Sequence, residues 1–405
     1  MKAVLSSRGS RGDVNPIIEI GAGLKRKGYD VKICVPELFK EYALKQDIDV
    51  SLYEEDSQEI MQGLGSGLSS VKNGMKFFEN SIDQQFEFML NATENADVLI
   101  TTVNELSAPT VAEYRNIPHF RLTFAPILPG NHPPPFSPWQ KLPPFLNRMG
   151  WKTLNILSGM AIRKFINKKR KELGLKPALN SNKYHTGQSH TLLSINPELA
   201  PPCETWEGKY NYDYVGYCYG QISGKLNKDL IDFVENGPPP VYIGFGSVHI
   251  KNPEKFTEMV VEAVNKSKCR VVLGQGWVGL GNGYLQDDIF CVSDTHHATL
   301  FPKMAGIIHH GGSGTTHTSA KAGIPQFILP QFMDQYYWGH RIYQMAMGPK
   351  PVIPKRIKSS DIAYAFNELN NGLYRKNTSK LAERMKDEDG VERSINIINE
   401  KLELS

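Results

Sequence analysis

The residues best suited to chemistry are crowded into two short stretches. The longer, from Ile307 to Arg341, reads IIHHGGSGTTHTSAKAGIPQFILPQFMDQYYWGHR. An apolar run from Ala305 to Ile308 leads into His310, Gly311, Gly312, Ser313, Gly314, Thr315 and Thr316, and a helix-like segment follows as far as Gly323-Ile324-Pro325. This predicts a strand, a glycine-rich turn and a helix N-terminus. The three glycines let backbone N–H groups approach a ligand, and the helix dipole adds partial positive charge there. His310 and the hydroxyls of Ser313, Thr315 and Thr316 are further donors, so the turn reads as a cradle for an anion, most simply a diphosphate. The alternative is a turn that needs glycine only for its dihedral angles. No Gly-Lys-Ser/Thr follows, so it is not a P-loop.

A second strand, Gln326 to Leu329, ends in Pro330-Gln331-Phe332-Met333-Asp334-Gln335. Adjacent Asp334 and Gln335 at a strand's C-terminal end can accept from and donate to the vicinal hydroxyls of a sugar. The other stretch lies near residue 10, where Gly9-Ser10-Arg11-Gly12-Asp13-Val14-Asn15-Pro16 follows the apolar run Ala3 to Ser7. Asp13 there is placed to cap a helix beginning at Val14, with Pro16 tolerated in its first turn. The Arg-Gly-Asp spelling, inside a strand–turn–helix, is coincidental as an adhesion motif.

The longer stretch resembles the donor-binding signature of inverting GT-B glycosyltransferases that use nucleotide-activated sugars. It closely resembles the branch that contains sterol and glycopeptide-antibiotic glycosyltransferases. The N-terminal stretch is similar to the GSRGDVxP motif of the same branch. The two motifs stand about 300 residues apart in the right order, so the resemblance covers essentially the whole chain.

It implies that Asp13 is the general base that takes a proton from the acceptor hydroxyl, with Gly9, Ser10 and Gly12 forming a loop near the donor. It also implies Ser247, after the first strand of the second half, near the phosphates, and Trp277, Ser293 and His296 near the nucleobase. Plant members carry Trp-x-Pro-Gln where this chain has Ser293-Asp294-Thr295-His296, and a ribose-binding glutamate where it has Thr318, so uridine and thymidine stay open. No aspartate-x-aspartate stretch of the kind that carries a divalent cation in other transferases stands out, and adjacent histidines on a strand point to opposite faces, so the expectation is a metal-independent enzyme without a cofactor. A UDP-sugar or dTDP-sugar would be its co-substrate. Glu105 is the next candidate for the base. The competing readings are a non-catalytic nucleotide-sugar-binding protein on the same scaffold and a nucleotide-sugar epimerase. A dehydrogenase is disfavoured because Gly9 to Gly12 lacks the G-x-G-x-x-G spacing.

The elements that must position these residues follow the alternation of short strands and helices. In the first half the predicted strands are Ala3 to Ser7, Asp30 to Val35, Val98 to Thr102 and His119 to Phe124, with a helix from Val14 to Lys27. In the second they are Val241 to Phe245, Arg270 to Leu273, Ile289 to Val292, Ala305 to Ile308 and Gln326 to Leu329. The pattern predicts an α/β protein with two Rossmann-like, doubly wound domains facing across a cleft. Residues 1–215 would bind acceptor and 216–385 the nucleotide sugar, and a C-terminal helix in 386–405 would cross back to the first domain. Gly237-Pro238-Pro239-Pro240 closes the linker. Pro126 to Phe145 carries eight prolines and reads as a long stiffened loop, and Trp151 to Leu173 as one helix ending in the basic run Lys168 to Lys171. That basic end is either solvated or touches a membrane surface transiently.

Composition narrows the partners. The chain has 405 residues, 40% hydrophobic and 22% charged, with a net charge of +4. That suits a globular protein rather than a nucleic-acid binder. No apolar run reaches the length of a transmembrane helix. Five scattered cysteines without a C-x-x-C pair and no secretory leader point to reduced thiols in the cytoplasm. The acceptor is expected to be a lipophilic alcohol such as a sterol, polyphenol or antibiotic aglycone, and the sugar a hexose, glucose first.

Overall fold

The computed structural model describes the chain except residues 54–70, 221–223, 249, 251, 283–285, 294, 371 and 404–405, and except the side chains of 71–79, 161–163 and 278. It divides into two compact units. The first holds Met1–Pro134, Lys141–Gly220 and Asp389–Ser405, the second Pro135–Gln140 and Gln221–Glu388.

The first unit is built on seven parallel strands: β1 (Lys2–Ser6), β2 (Asp30–Pro36), β3 (Asp49–Tyr53), β4 (Val98–Thr102), β5 (His119–Thr123), β6 (Ser189–Leu193) and β7 (Tyr212–Tyr214). Their order is β3-β2-β1-β4-β5-β6-β7. β4 and β5 are buried along their whole length, the pattern of strands covered on both faces; β4 opens on an apolar run, whereas β5 alternates His119, Arg121 and Thr123 with apolar residues. β3, β6 and β7 were not predicted. β3 and β7 are edge strands with mostly half-buried residues, and β6 opens on Ser189 and His190, so none carries an unbroken apolar signal. Strand order reverses direction between β1 and β4, so the loops leaving these two strands flank the crevice where ligands bind in such sheets.

Helix α1 (Arg11–Arg26) begins three residues before the predicted start, which puts Pro16 in its second turn rather than its first. The predicted helix from Trp151 to Leu173 is three pieces: α2 (Pro144–Ala161), a π-helical turn over Ile162–Ile166, and a short helix over Asn167–Glu172. The basic run in the last piece is partly turned inward. Arg170 is buried against Glu113 at 2.8 Å, and Lys169 lies 3.2 Å from Asp83. The C-terminal helix Gly390–Glu403 packs in this unit against α1, where Lys27 pairs with Glu392 at 2.9 Å.

The second unit has five parallel strands: β8 (Val241–Gly244), β9 (Val271–Gly274), β10 (Ile289–Val292), β11 (Gly306–His309) and β12 (Gln326–Ile328), in the order β10-β9-β8-β11-β12. All five coincide with predicted strands to within a residue or two at each end. The register aligns Gly244 with Gly274 and with His309, Gly274 with Val292, and His309 with Ile328. Every strand therefore ends at one edge, and the order reverses between β8 and β11. α3 (Ser313–Lys321) follows β11 and α4 (Gln335–Gln344) follows β12.

Candidate functional site

In the first unit the loop after β1 turns on Gly9, whose φ of +115° suits glycine. A Cβ there would stand 2.7 Å from Asp13 Oδ2. Asp13 is the third residue of α1. Its Oδ2 accepts from the Ser10 backbone N–H at 2.9 Å and from Ser10 Oγ at 3.0 Å, so the carboxylate closes a capping arrangement. Burial pushes its pKa above the ordinary value, while hydrogen bonds from Ser10 and from the Asn104 side chain pull it back. The capping role is therefore real, and it holds a carboxylate of raised basicity at the β1/β4 switch point.

Asn104 was missed in the sequence. It follows β4, and its Nδ2 also donates to the Arg8 carbonyl at 3.1 Å, tying together the two loops that flank the switch point. Its neighbour Glu105, the fallback base, faces the other way. It is buried, accepts from Ser6 Oγ at 2.7 Å and Tyr53 OH at 2.8 Å, and lies 3.4 Å from Arg8 Nε. Arg8 in turn sits 3.7 Å over the Tyr53 ring. Glu105 is a structural knot in this arrangement.

In the second unit the glycine turn is held from beneath. Fully buried His309 donates from Nε2 to Gln326 Oε1 at 2.9 Å, and its Nδ1 accepts the Gly311 N–H at 3.1 Å. Gly311 has φ +92°, and a Cβ there would meet Ile328 Cγ2 at 2.7 Å. Its N–H is consumed inside the turn, so Gly311 shapes the cradle rather than donating to a ligand. Thr316 is likewise committed, because its Oγ1 donates to the Gly312 carbonyl at 2.9 Å. Ser313 Oγ lies 3.2 Å from His317 Nδ1, which also donates to the Ser313 carbonyl at 2.8 Å.

What remains at the mouth is the start of α3, where Ser313, Gly314 and Thr315 occupy the first turn after the N-cap Gly312, and a helix's first N–H groups have no intrahelical acceptor. The His310 ring stands over this turn, since a Cβ on Gly312 would clash with His310 Nε2. His310 Nδ1 is buried with no hydrogen-bond partner among the described residues. Burial lowers its pKa to about 4, helped by His297, so the ring is neutral at pH 7. His309 and His317, lowered to about 3 and about 4 by burial, are neutral too.

Asp334 and Gln335 both lie at the start of α4. Asp334 is its N-cap and accepts from Trp338 Nε1 at 2.8 Å. Gln335 is buried, and its Oε1 accepts from the backbone N–H groups of Gln331 at 2.8 Å and Phe332 at 3.3 Å. The Gln335 amide oxygen is thus committed to the loop. Trp338, fully buried one turn into α4, is a second residue the sequence reading missed.

Ser247 follows β8 and Trp277 follows β9, and the Trp277 N–H donates to the Gly246 carbonyl at 3.1 Å, which brings these two loops together. Exposed Ser293 follows β10. His296 caps the short helix His297–Leu300, with Nδ1 2.8 Å from Thr299 Oγ1, so its ring is bound to its own turn. Asp294 lies outside the described residues. All of these residues leave the carboxyl edge of one sheet, and Ser247 and His310 flank its reversal. The described residues contain no cluster of three or more His, Cys, Asp or Glu placed to hold a metal ion.

The chain is similar to several known proteins. Residues 281–393 match the family model of the erythromycin biosynthesis protein CIII-like C-terminal domain. The sterol 3-beta-glucosyltransferase UGT80A2 of Arabidopsis thaliana is 30% identical over 96% of this chain and 64% of its own length, so the chain spans just under two thirds of that relative. Glycosyltransferase GtfE of Amycolatopsis orientalis is 29% identical over 86% of this chain and 85% of its own. The solved structure of the kitacinnamycin glycotransferase shares the fold with a TM-score of 0.78 at 16% identity, covering 98% of both chains. The two parallel sheets are thus those of the GT-B architecture, and the chain is similar over most of its length to sterol and antibiotic glycosyltransferases.

Proposed function

We propose that the protein transfers a hexose, glucose first, from a UDP-sugar or dTDP-sugar to the hydroxyl of a lipophilic acceptor, inverting the anomeric centre. The observation that carries the reading is the register of the second sheet. It gathers Ser247, His310, the first turn of α3, Asp334 and Gln335 at one edge around one reversal of strand order.

In this reading the N–H groups of Ser313, Gly314 and Thr315, the helix dipole and neutral His310 receive the diphosphate. As the bond from anomeric carbon to phosphate oxygen breaks, negative charge grows on the diphosphate, and donors already fixed in place stabilise it. Asp334 accepts from sugar hydroxyls and the Gln335 amide donates to them. Trp277, Ser293 and His296 line the side taken by the nucleoside. Asp13 accepts the acceptor's proton as the acceptor oxygen bonds to the anomeric carbon. The products are the glycoside and the nucleoside diphosphate. The names of the relatives support a sterol or antibiotic-like acceptor.

The test is a panel of UDP- and dTDP-sugars against lipophilic alcohols, read by mass for a hexose increment and by NMR for the anomer. A glycoside of inverted configuration is expected. Isomerised donor without glycoside, or bound donor that is never consumed, would contradict the reading.

A further inference from the structure

Helix α2 shows its apolar side to solvent. Its inward contacts are polar: Asn147 Nδ2 donates to the carbonyls of Asn131 at 2.9 Å and Leu142 at 3.0 Å, and Trp151 Nε1 donates to the His132 carbonyl at 2.9 Å. On the outward face Phe145, Met149, Ile156, Leu157 and Met160 are each 54–60% exposed. Their spacing of four, seven, one and three residues keeps them on one side of a helix. Scattered exposed apolar residues need no explanation, but five along a single helix face do.

Charge indicates what covers the face. Exposed Arg148 and Lys152 stand among the apolar residues, and exposed Lys164 lies one turn beyond the helix end. From Asn116 to Lys171 the chain carries ten Lys and Arg and no Asp or Glu. Against a whole-chain balance of +4, that leaves the other residues at −6. Of the ten, Arg121 and Arg170 are buried and Lys169 pairs with Asp83, so the solvent-facing cations near the apolar face are Arg148, Lys152 and Lys164. Flexible apolar side chains interleaved with long cationic ones match the boundary of a bilayer, where apolar groups enter the acyl layer and cations stay among anionic headgroups. No described helix is long and apolar enough to cross a membrane, so attachment would be peripheral.

We infer that α2 is a membrane-docking element that lies in the plane of an anionic phospholipid surface. The docking stands on the helix alone. Its consequence, that the acceptor is taken from the membrane, rests on the proposed transfer reaction.

The experiment is co-sedimentation of the full chain with phosphatidylcholine vesicles, with and without phosphatidylglycerol, at low and high salt. Binding should require phosphatidylglycerol and weaken with salt. The Phe145→Glu/Met149→Glu/Ile156→Glu variant should lose binding, and Arg148→Gln/Lys152→Gln should weaken it by about 25-fold. UDP affinity by calorimetry should be unchanged in both, which shows that they fold and separates this test from that of the transfer reaction. A milder Met149→Ser/Ile156→Ser variant should fall between them. Wild-type indifference to vesicles, or glutamate variants that bind like wild type, would overturn the inference. So would a wild-type dimer that the glutamates dissociate, since the face would then join two copies of this chain. Loss of transfer to a water-soluble acceptor without lipid would make the face an acceptor wall instead.

Discussion

The Ser10 backbone N–H donates to Asp13 Oδ2 at 2.9 Å, so the carboxylate proposed as the base also caps the helix that presents it. The two roles are compatible because a carboxylate has about four lone-pair sites and this cap uses a single oxygen. The cap fixes the rotamer, and burial raises the basicity.

The raised pKa sets the sign of the pH dependence. Asp13 must be ionised to act, so kcat/KM should fall about tenfold per pH unit below a midpoint lying above the ordinary 3.8. For stability the sign is opposite. A carboxyl whose folded pKa exceeds its unfolded one contributes stability below the unfolded value and loses it as pH rises through the folded value. Asp13→Asn keeps an oxygen acceptor for Ser10 and should therefore melt no lower than wild type at pH 7, as calorimetry can check.

Asn104 is the positioning residue to test. Its hydrogen bond favours the ionised carboxylate, so Asn104→Ala should move the acid limb of the pH–rate profile to higher pH. Turnover at neutral pH should drop by about tenfold. An unmoved limb would limit Asn104 to its bond with the Arg8 carbonyl.

Asp334→Ala should separate sugar from phosphate. UDP should bind about as well as to wild type, while the intact UDP-sugar binds more weakly. Because the buried Trp338 would lose its Nε1 acceptor, the same variant should be less stable by about 1–3 kcal/mol. Equal loss of both affinities in calorimetry would contradict the assignment.

His309→Ala removes the prop beneath the cradle. It strands the Gly311 N–H and Gln326 Oε1, so stability should fall by about 2–5 kcal/mol and UDP affinity with it, although His309 itself is fully buried and need not touch ligand. His309→Gln should recover part of both. UDP binding that survives His309→Ala would mean the turn does not need this support.

The second sheet was legible because each of its strands is a short apolar run bounded by turn residues, and burial on both faces enforces that pattern. β3, β6 and β7 were hidden because polar residues share those strands and edge positions do not demand apolar runs. The glycine turn was visible as a turn, but a linear sequence does not tell which N–H groups point outward. Only the packing of His309 reveals that Gly311 is occupied. Similarly, Asn104 and Glu105 are adjacent, and which one meets Asp13 is decided by the backbone leaving β4. The basic run Lys168 to Lys171 reads as the end of one helix, either solvated or touching a membrane surface, whereas the helix is interrupted by a π turn at Ile162–Ile166 and Arg170 beyond it is buried.

Asp13→Asn, compared with wild type in single-turnover transfer at saturating donor and in donor calorimetry, bears most directly on the central claim. A base assignment predicts a rate lower by about 10² to 10⁴-fold with donor affinity within about twofold. A variant that turns over at close to the wild-type rate would reduce Asp13 to a helix cap and contradict the mechanism.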